Sequence, residues 1–387
     1  MVYFILIVFT CFTFINSAPQ LEDRWSWGFI EDDVNTTKAP EFPIQEDDKS
    51  WGYLDETEVT TRLRDLDEDK KCAPFNPKVP DFKSAHRRII QTKCYEYIWL
   101  IKYREKAKKK NEACFSEPEL RPEGSNIDSG ARYVYQGEYP HMAAIGWRRV
   151  NGSLDFRCGG SLISSKFVLT AAQCTAVRID TTLPDREPHS VRLGHTTALD
   201  TKTMPENSLD IKIHRIIRSP KFIAGKKYND IALLELEADV KFSKFIQPAC
   251  LYHIPDVLKL SKKARATGWG IFSEAALETP KLKVAHLNIV DDATCNAQLG
   301  RLCGRAWCRV RDQVCSGDPT GAVDTCWGDS GGPLQVEIPL PTTEGKIHYV
   351  IGITSFGVGC GQPDTPGVYT KVSSYLDWIE SVVWPQG

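Results

Sequence analysis

The sequence predicts an all-β domain that closes with a C-terminal helix. Past Pro118 and Pro122 the chain breaks into short apolar stretches, such as His141 to Trp147, Ser161 to Ala171, Ile231 to Leu236 and Tyr349 to Phe356, separated by Gly, Pro and Asn. Alternating runs this short, with turn residues between them, read as strands. The last stretch, Val372 to Val383, changes period: Tyr375, Leu376, Ile379 and Val382 fall three to four apart, which is a helical face. Cysteine usage is the third observation. Of thirteen cysteines, Cys11 lies in the apolar N-terminal stretch, and the twelve that remain suit six disulfides in an oxidising compartment.

The 387 residues leave room for one large domain and extensions. With 48 basic and 50 acidic residues the net charge is −2, so nothing global points to nucleic acid or to an anionic membrane. Val2 to Ile15 is almost wholly apolar and is followed by Asn16, Ser17 and Ala18, the pattern of a secretory signal over residues 1–18. That run is too short for a membrane span, which needs about 20 apolar residues. Asn35 and Asn151 each open an N-x-S/T triplet and are candidate glycosylation sites, which agrees with a secreted protein.

Residues 19–71 are rich in Asp and Glu, lack a sustained period, and read as disordered. One phrase recurs there, Ser26-Trp27-Gly28-Phe29-Ile30-Glu31-Asp32 and Ser50-Trp51-Gly52-Tyr53-Leu54-Asp55-Glu56. It is either a duplicated linear docking motif or a chance repeat. Residues 72–126 change character: Ser84 is placed to cap a helix in which Ile90, Cys94, Tyr97, Ile98 and Ile101 share a face and Lys102 to Lys110 form a basic end. The run Lys106, Lys108, Lys109, Lys110 reads either as a polyanion contact or, as charge runs usually do, as a solvated face.

Three strings carry chemistry: T-A-A-Q-C at Thr170 to Cys174, N-D-I-A-L-L at Asn229 to Leu234, and D-T-C-W-G-D-S-G-G-P at Asp324 to Pro333. In order and spacing, and with G-E-Y-P-H-M-A-A from Gly137, C-G-G-S-L-I-S from Cys158 and P-G-V-Y-T-K-V from Pro366, residues 127–387 resemble the chymotrypsin-like (S1) serine peptidases. The resemblance implies two packed antiparallel β-barrels with a cleft between them. It makes Ser330 the nucleophile, the amides of Gly328 and Ser330 the oxyanion donors, and Asp230 the acid that orients the base. It puts Asp324 on the floor of a specificity pocket whose walls are opened by Gly357 and Gly367, a site for Arg or Lys. No cofactor or metal is implied.

The base is missing. Where the family has histidine in T-A-A-x-C, this chain has Gln173. A carboxamide takes no proton near neutral pH, so the serine hydroxyl stays a neutral alcohol. Its NH₂ is nevertheless suited to donate to Asp230 as an imidazole N–H would, which spares a buried carboxylate from going unpaired. His141, His195 and His253 are read as surface or satisfied structural residues. Activation departs as well: the family's new N-terminus, which pairs with the acid before the serine, here Asp329, corresponds to Ile127, but Asn126 precedes it and offers no trypsin-like cut. Either another enzyme processes the chain or the switch has decayed.

By the same resemblance Cys158 pairs with Cys174, Cys295 with Cys315 and Cys326 with Cys360, and Cys250 ties the domain to the preceding segment, with Cys114 its nearest candidate. That leaves Cys72 with Cys94 and Cys303 with Cys308. The prefix is similar to those of arthropod clip-type proteases, though three cysteines are too few for a clip module. The expectation is a secreted, non-catalytic protease homologue that binds a protease, an inhibitor or another cascade component. The alternatives are an active endopeptidase cutting after Arg or Lys, and a structural or adhesive protein.

Overall fold

The structure, a computed structural model, describes residues 75–115, 132–197, 207–270, 281–321, 329–357 and 362–385. These fall in one compact unit, Glu56–Gly387; a second unit, Met1–Asp55, lies outside the described residues, as do the signal, both tryptophan phrases and the segment 116–131 that holds Ile127.

Six antiparallel strands close a first barrel in the order β2 (Met142–Arg148), β3 (Leu154–Leu162), β4 (Phe167–Thr170), β7 (Ala232–Leu236), β6 (Leu209–Arg218) and β5 (Ser190–Leu193). A second closes through β9 (Lys263–Gly268), β10 (Lys283–Val290), β11 (Gln313–Gly317), β14 (Gly367–Lys371), β13 (Ile347–Phe356) and β12 (Pro333–Ile338). Two short strands join its rim: β1 (Arg132–Tyr133) on β10, and β8 (Cys250–Leu251) in parallel on β13. Closure leaves neither sheet with a long open edge. The predicted all-β class with paired barrels is the fold observed.

Period-2 patterning explains why two barrels form and stick together. In β4, Val168 points into the first barrel with Leu234 and Leu236 of β7, whereas Phe167 and Leu169 point out with Leu233. The outward set joins Val350 and Ile353 of β13 and Leu376, Ile379 and Val383 of the closing helix, a seam buried between the barrels. Strands buried on both faces read as continuous apolar runs, as V-L-T-A-A and I-A-L-L do. The closing helix is preceded by a 3₁₀ turn over Val372–Tyr375 and spans Leu376–Val383.

Helix α1 (Ile89–Phe115) is part of this unit. The five residues assigned to its inner face, Ile90, Cys94, Tyr97, Ile98 and Ile101, are all buried. Ile90 belongs to the inter-barrel cluster, and the Tyr97 hydroxyl donates to the Ile163 carbonyl at 2.9 Å. Two expectations are corrected. Ser84 does not cap the helix: its carbonyl accepts from Arg87 N in a separate turn, and the first helical turn is closed by Gln91, whose Oε1 accepts from Arg88 N at 2.9 Å. A three-residue reach from side chain to backbone is the capping-box geometry, which a glutamine at that offset supplies without a serine. The partner of Cys250 is Cys94, not Cys114, so the Cys72–Cys94 pairing falls too. The physical reason is that Cys94 sits in the middle of the buried face, against β8, while Cys114 lies five turns further along the helix. Cys114 is disulfide-bonded as well, to neither residue. Cys158–Cys174, Cys295–Cys315 and Cys303–Cys308 are disulfides. Cys326 and Cys360 lie outside the described residues. In the chain-entropy estimate a bridge such as Cys94–Cys250, with sequence separation 156, is worth on the order of 5 kcal/mol.

Candidate active-site cleft

The first barrel brings two of the predicted residues together by register alone. β4 and β7 are antiparallel neighbours with Thr170 opposite Ala232, so the residues just after β4 and just before β7 share one rim. Gln173, in the 3₁₀ turn Ala172–Thr175, and Asp230 are those residues. The second barrel supplies Ser330 in the same way: β12 pairs with β13, Pro333 opposite Ile353, so the turn before β12 lies beside the end of β13.

Glycines seat the serine turn between the two barrels. Gly159 N of β3 donates to the Ser330 carbonyl at 2.9 Å, and Gly331 N donates to the Thr354 carbonyl at 2.9 Å. Gly331 has φ +80°, a conformation side chains rarely adopt, and a Cβ there would lie 2.2 Å from Thr170 Oγ1. A residue larger than glycine would push the serine turn off its seat.

Asp230 is buried and receives several donors. Gln173 N reaches Oδ1 at 2.8 Å, Gln173 Nε2 reaches Oδ2 at 2.9 Å, and Ser355 Oγ reaches Oδ2 at 2.6 Å. The Thr370 hydroxyl donates to the Asp230 carbonyl at 2.8 Å. Burial pushes the Asp230 carboxyl above its ordinary range, opposed by the hydrogen bonds from Ser355 and from the Gln173 backbone. Gln173 Nε2 donates a second time, to the Ser355 carbonyl. Two acceptors fix the orientation of the amide, because the flipped form would aim an oxygen at a carboxylate and a carbonyl. Both amide hydrogens are thereby used, and only the carbonyl Oε1 is left for the cleft.

The eight histidines, His86, His141, His189, His195, His214, His253, His286 and His348, all lie among the described residues, and none hydrogen-bonds Ser330. His195 Nδ1 accepts from Thr197 N at 2.7 Å, and His253 Nε2 lies 3.2 Å from Gln91 Nε2. His141 is a structural residue and not a surface one: it is buried beside His348, ring centroids 5.1 Å apart, and its Nε2 has no hydrogen-bond partner among the described residues. A histidine in the strand-entry phrase P-H-M-A-A carries no signal for this, since its neighbour arrives from β13 some 200 residues later.

Burial holds His141 at about pKa 3 and His348 well below the ordinary imidazole value, where Arg265 and Lys346 add to the depression. Depressed basic groups bind fewer protons folded than unfolded, so their contribution is fully present above about pH 6.5 and is lost as the pH falls towards 3. The raised Asp230 carboxyl acts in the opposite sense. Each imidazole is worth at most about 1.4 kcal/mol per pH unit in that window. Urea unfolding is expected to show wild type losing several kcal/mol between pH 7 and pH 4.5, and His348→Phe flattening that slope by about half.

Asp329 is buried, accepts from Gly270 N at 2.8 Å, and is packed so closely by Gly268 and Gly270 that a Cβ on either would overlap its carboxylate. Arg132, the basic residue nearest the domain, is held in β1 and pairs with Glu138. Gly357 is exposed just past β13, and Gly367 opens β14. Asp324 and Gly328 lie outside the described residues. Asn151 sits exposed in the β2–β3 turn, its Oδ1 accepting from Ser153 N at 3.0 Å. Sequence reasoning missed Ser355 and Thr370. The signal was there for Ser355, one of two adjacent hydroxyls, with Thr354, inside the buried strand run Ile351 to Phe356.

Two closed antiparallel barrels with a serine turn from one facing a paired acid from the other define the chymotrypsin-like class of serine peptidases. The Trypsin family profile matches residues 128–379, and the chain belongs to that family. It is 36% identical to "Serine protease snk" of Drosophila melanogaster over 304 residues, 78% of this chain and 66% of that protein. To "Serine protease Hayan" of the same species it is 40% identical over 270 residues, 68% of this chain and 40% of the relative. To "Phenoloxidase-activating factor 1" of Holotrichia diomphalia it is 34% identical over 285 residues, 69% and 74% of the two chains. The chain thus spans less than two thirds of the first two relatives.

Proposed function

We propose that this chain is a secreted trypsin-family protein that does not turn over peptide bonds and acts by binding a component of a protease cascade. The observation that carries the reading is the amide of Gln173, which spends both hydrogens on Asp230 and the Ser355 carbonyl and has no basic lone pair to offer Ser330. The substitution preserves the fold while removing the proton acceptor, because the amide satisfies the buried acid in the imidazole's place. Asn126 before Ile127 points the same way, since an unactivated chain has no need of a tryptic cut. Relatives named for activating phenoloxidase and for clotting factor G support a cascade setting. A cleft with an inert serine retains its walls, and a specificity pocket floored by Asp324 would seat an Arg or Lys side chain of the bound partner.

The test is a fluorophosphonate probe with an Arg-containing peptide substrate, applied to the secreted full chain and to Ser330→Ala. The two proteins are expected to behave alike, with labelling and hydrolysis at background. Ser330-dependent labelling at the rate of an ordinary trypsin would reject the reading and install the Arg/Lys endopeptidase in its place.

A further inference from the structure

The basic run Lys106–Lys110 on α1 is largely neutralised: Lys109 pairs with Glu105 at 3.0 Å, and Lys108 with Glu112 and Glu344. An unneutralised basic surface lies elsewhere, assembled from two loops about 80 residues apart in sequence. The loop before Asp230, residues 219–228, carries Lys221, Lys226 and Lys227 and no acid; the loop before β11, residues 300–312, carries Arg301, Arg305, Arg309 and Arg311 against Asp312 alone. Six of these seven cations are exposed, Lys227 being half-buried, and none makes an ion pair among the described residues.

The loops are zipped together. Lys227 N donates to the Ala306 carbonyl at 3.1 Å and Lys226 Nζ to the Arg305 carbonyl at 2.5 Å. The Tyr228 hydroxyl donates to the Arg309 carbonyl at 3.0 Å and accepts from Cys308 N at 3.1 Å. The Cys303–Cys308 disulfide closes the second loop over the buried Trp307, whose indole donates to Gln313. The two cationic loops are therefore held side by side by these bonds, an arrangement that costs repulsion in the free protein and is relieved by a bound polyanion.

The ring faces nearby are covered by cations, Arg311 over Tyr228 and Lys227 over Phe356, so apart from Ile223 the surface offers charge and few apolar anchors. Protein segments bind through buried apolar or aromatic anchors, whereas a linear sulfated chain needs only repeated cations with forked guanidinium groups. We infer that the 219–228 and 300–312 loops form a binding site for a sulfated polysaccharide. The site borders the cleft: Lys227 is three residues before Asp230 and its ammonium lies over Phe356, the residue after Ser355, so a chain bound there lies along the cleft's edge. The inference does not depend on whether Ser330 is active.

The experiment is calorimetry of the full chain with heparin as the probe. Affinity is expected to fall about 10²–10³-fold between 50 and 200 mM NaCl, as release of four or five counterions requires. The variant K226E/R305E/R309E is expected to bind at least about tenfold more weakly at 150 mM NaCl with an unchanged melting temperature, while K109E/K110E on α1 binds as wild type. Desulfated heparin is expected to bind at least about tenfold more weakly than heparin. Equal binding by both variants overturns the site. Equal or tighter binding of polyglutamate or of phosphatidylserine vesicles overturns the ligand class.

Discussion

A chain carrying Gln173→His and Asn126→Arg, cut by trypsin before Ile127, is expected to label Ser330 with fluorophosphonate at least about 10³-fold faster than the same cut chain with Gln173. Loss of the base from a serine peptidase costs about 10⁶ in kcat, and a positioned general base contributes typically 10²–10⁴ on its own. The geometry is ready for the imidazole. Gln173 Nε2 stands 2.9 Å from Asp230 Oδ2, where a ring N–H would donate, and Gln173 N and Ser355 Oγ already hold the carboxylate in place. The second ring nitrogen would then carry a basic lone pair, which the amide lacks. Asn126→Arg alone separates the two defects: cut but still carrying Gln173, that chain is expected to stay inert. If the double variant is cut and also remains inert, the missing base is not what silences Ser330, and the proposed explanation fails even though the chain does not hydrolyse peptides.

How much of this was legible in the sequence depended on whether a feature is local. The strands of the paired barrels, the closing helix and the buried face of α1 were readable because period is a property of neighbours along the chain. The partner of Cys250 was not, because spacing selects the cysteine nearest the domain in sequence, whereas the helix presents Cys94 from the centre of its apolar face. The same blindness hid the cationic surface: Lys106–Lys110 stands out as a run, while Lys226 and Arg305 become neighbours only when the two barrels pack. The Gln173–Asp230 contact lay between these cases. A family resemblance suggested the donor, but the second acceptor, the Ser355 carbonyl that fixes the amide's orientation, comes from the other barrel.

Asp230→Ala is expected to destabilise the protein by about 3–5 kcal/mol, the range for removing one partner from a buried charged network. The carboxylate accepts from Gln173 N, Gln173 Nε2 and Ser355 Oγ, and deleting it strands a backbone amide and a hydroxyl inside a seam that admits little water. Gln173→Ala removes only one of those donors, leaves the backbone N–H and Ser355 in place, and is expected to cost about 1–2 kcal/mol. At about 2–4 °C per kcal/mol for a domain of this size, thermal melting should place Asp230→Ala roughly 10 °C below wild type and Gln173→Ala within about 8 °C of it. A carboxylate kept only as a relic of catalysis would be as dispensable as the lost histidine, and Asp230→Ala would then melt with wild type. A large loss there, beside a small one at position 173, means that Asp230 persists because three groups from two barrels converge on it, with the amide serving as one of its partners.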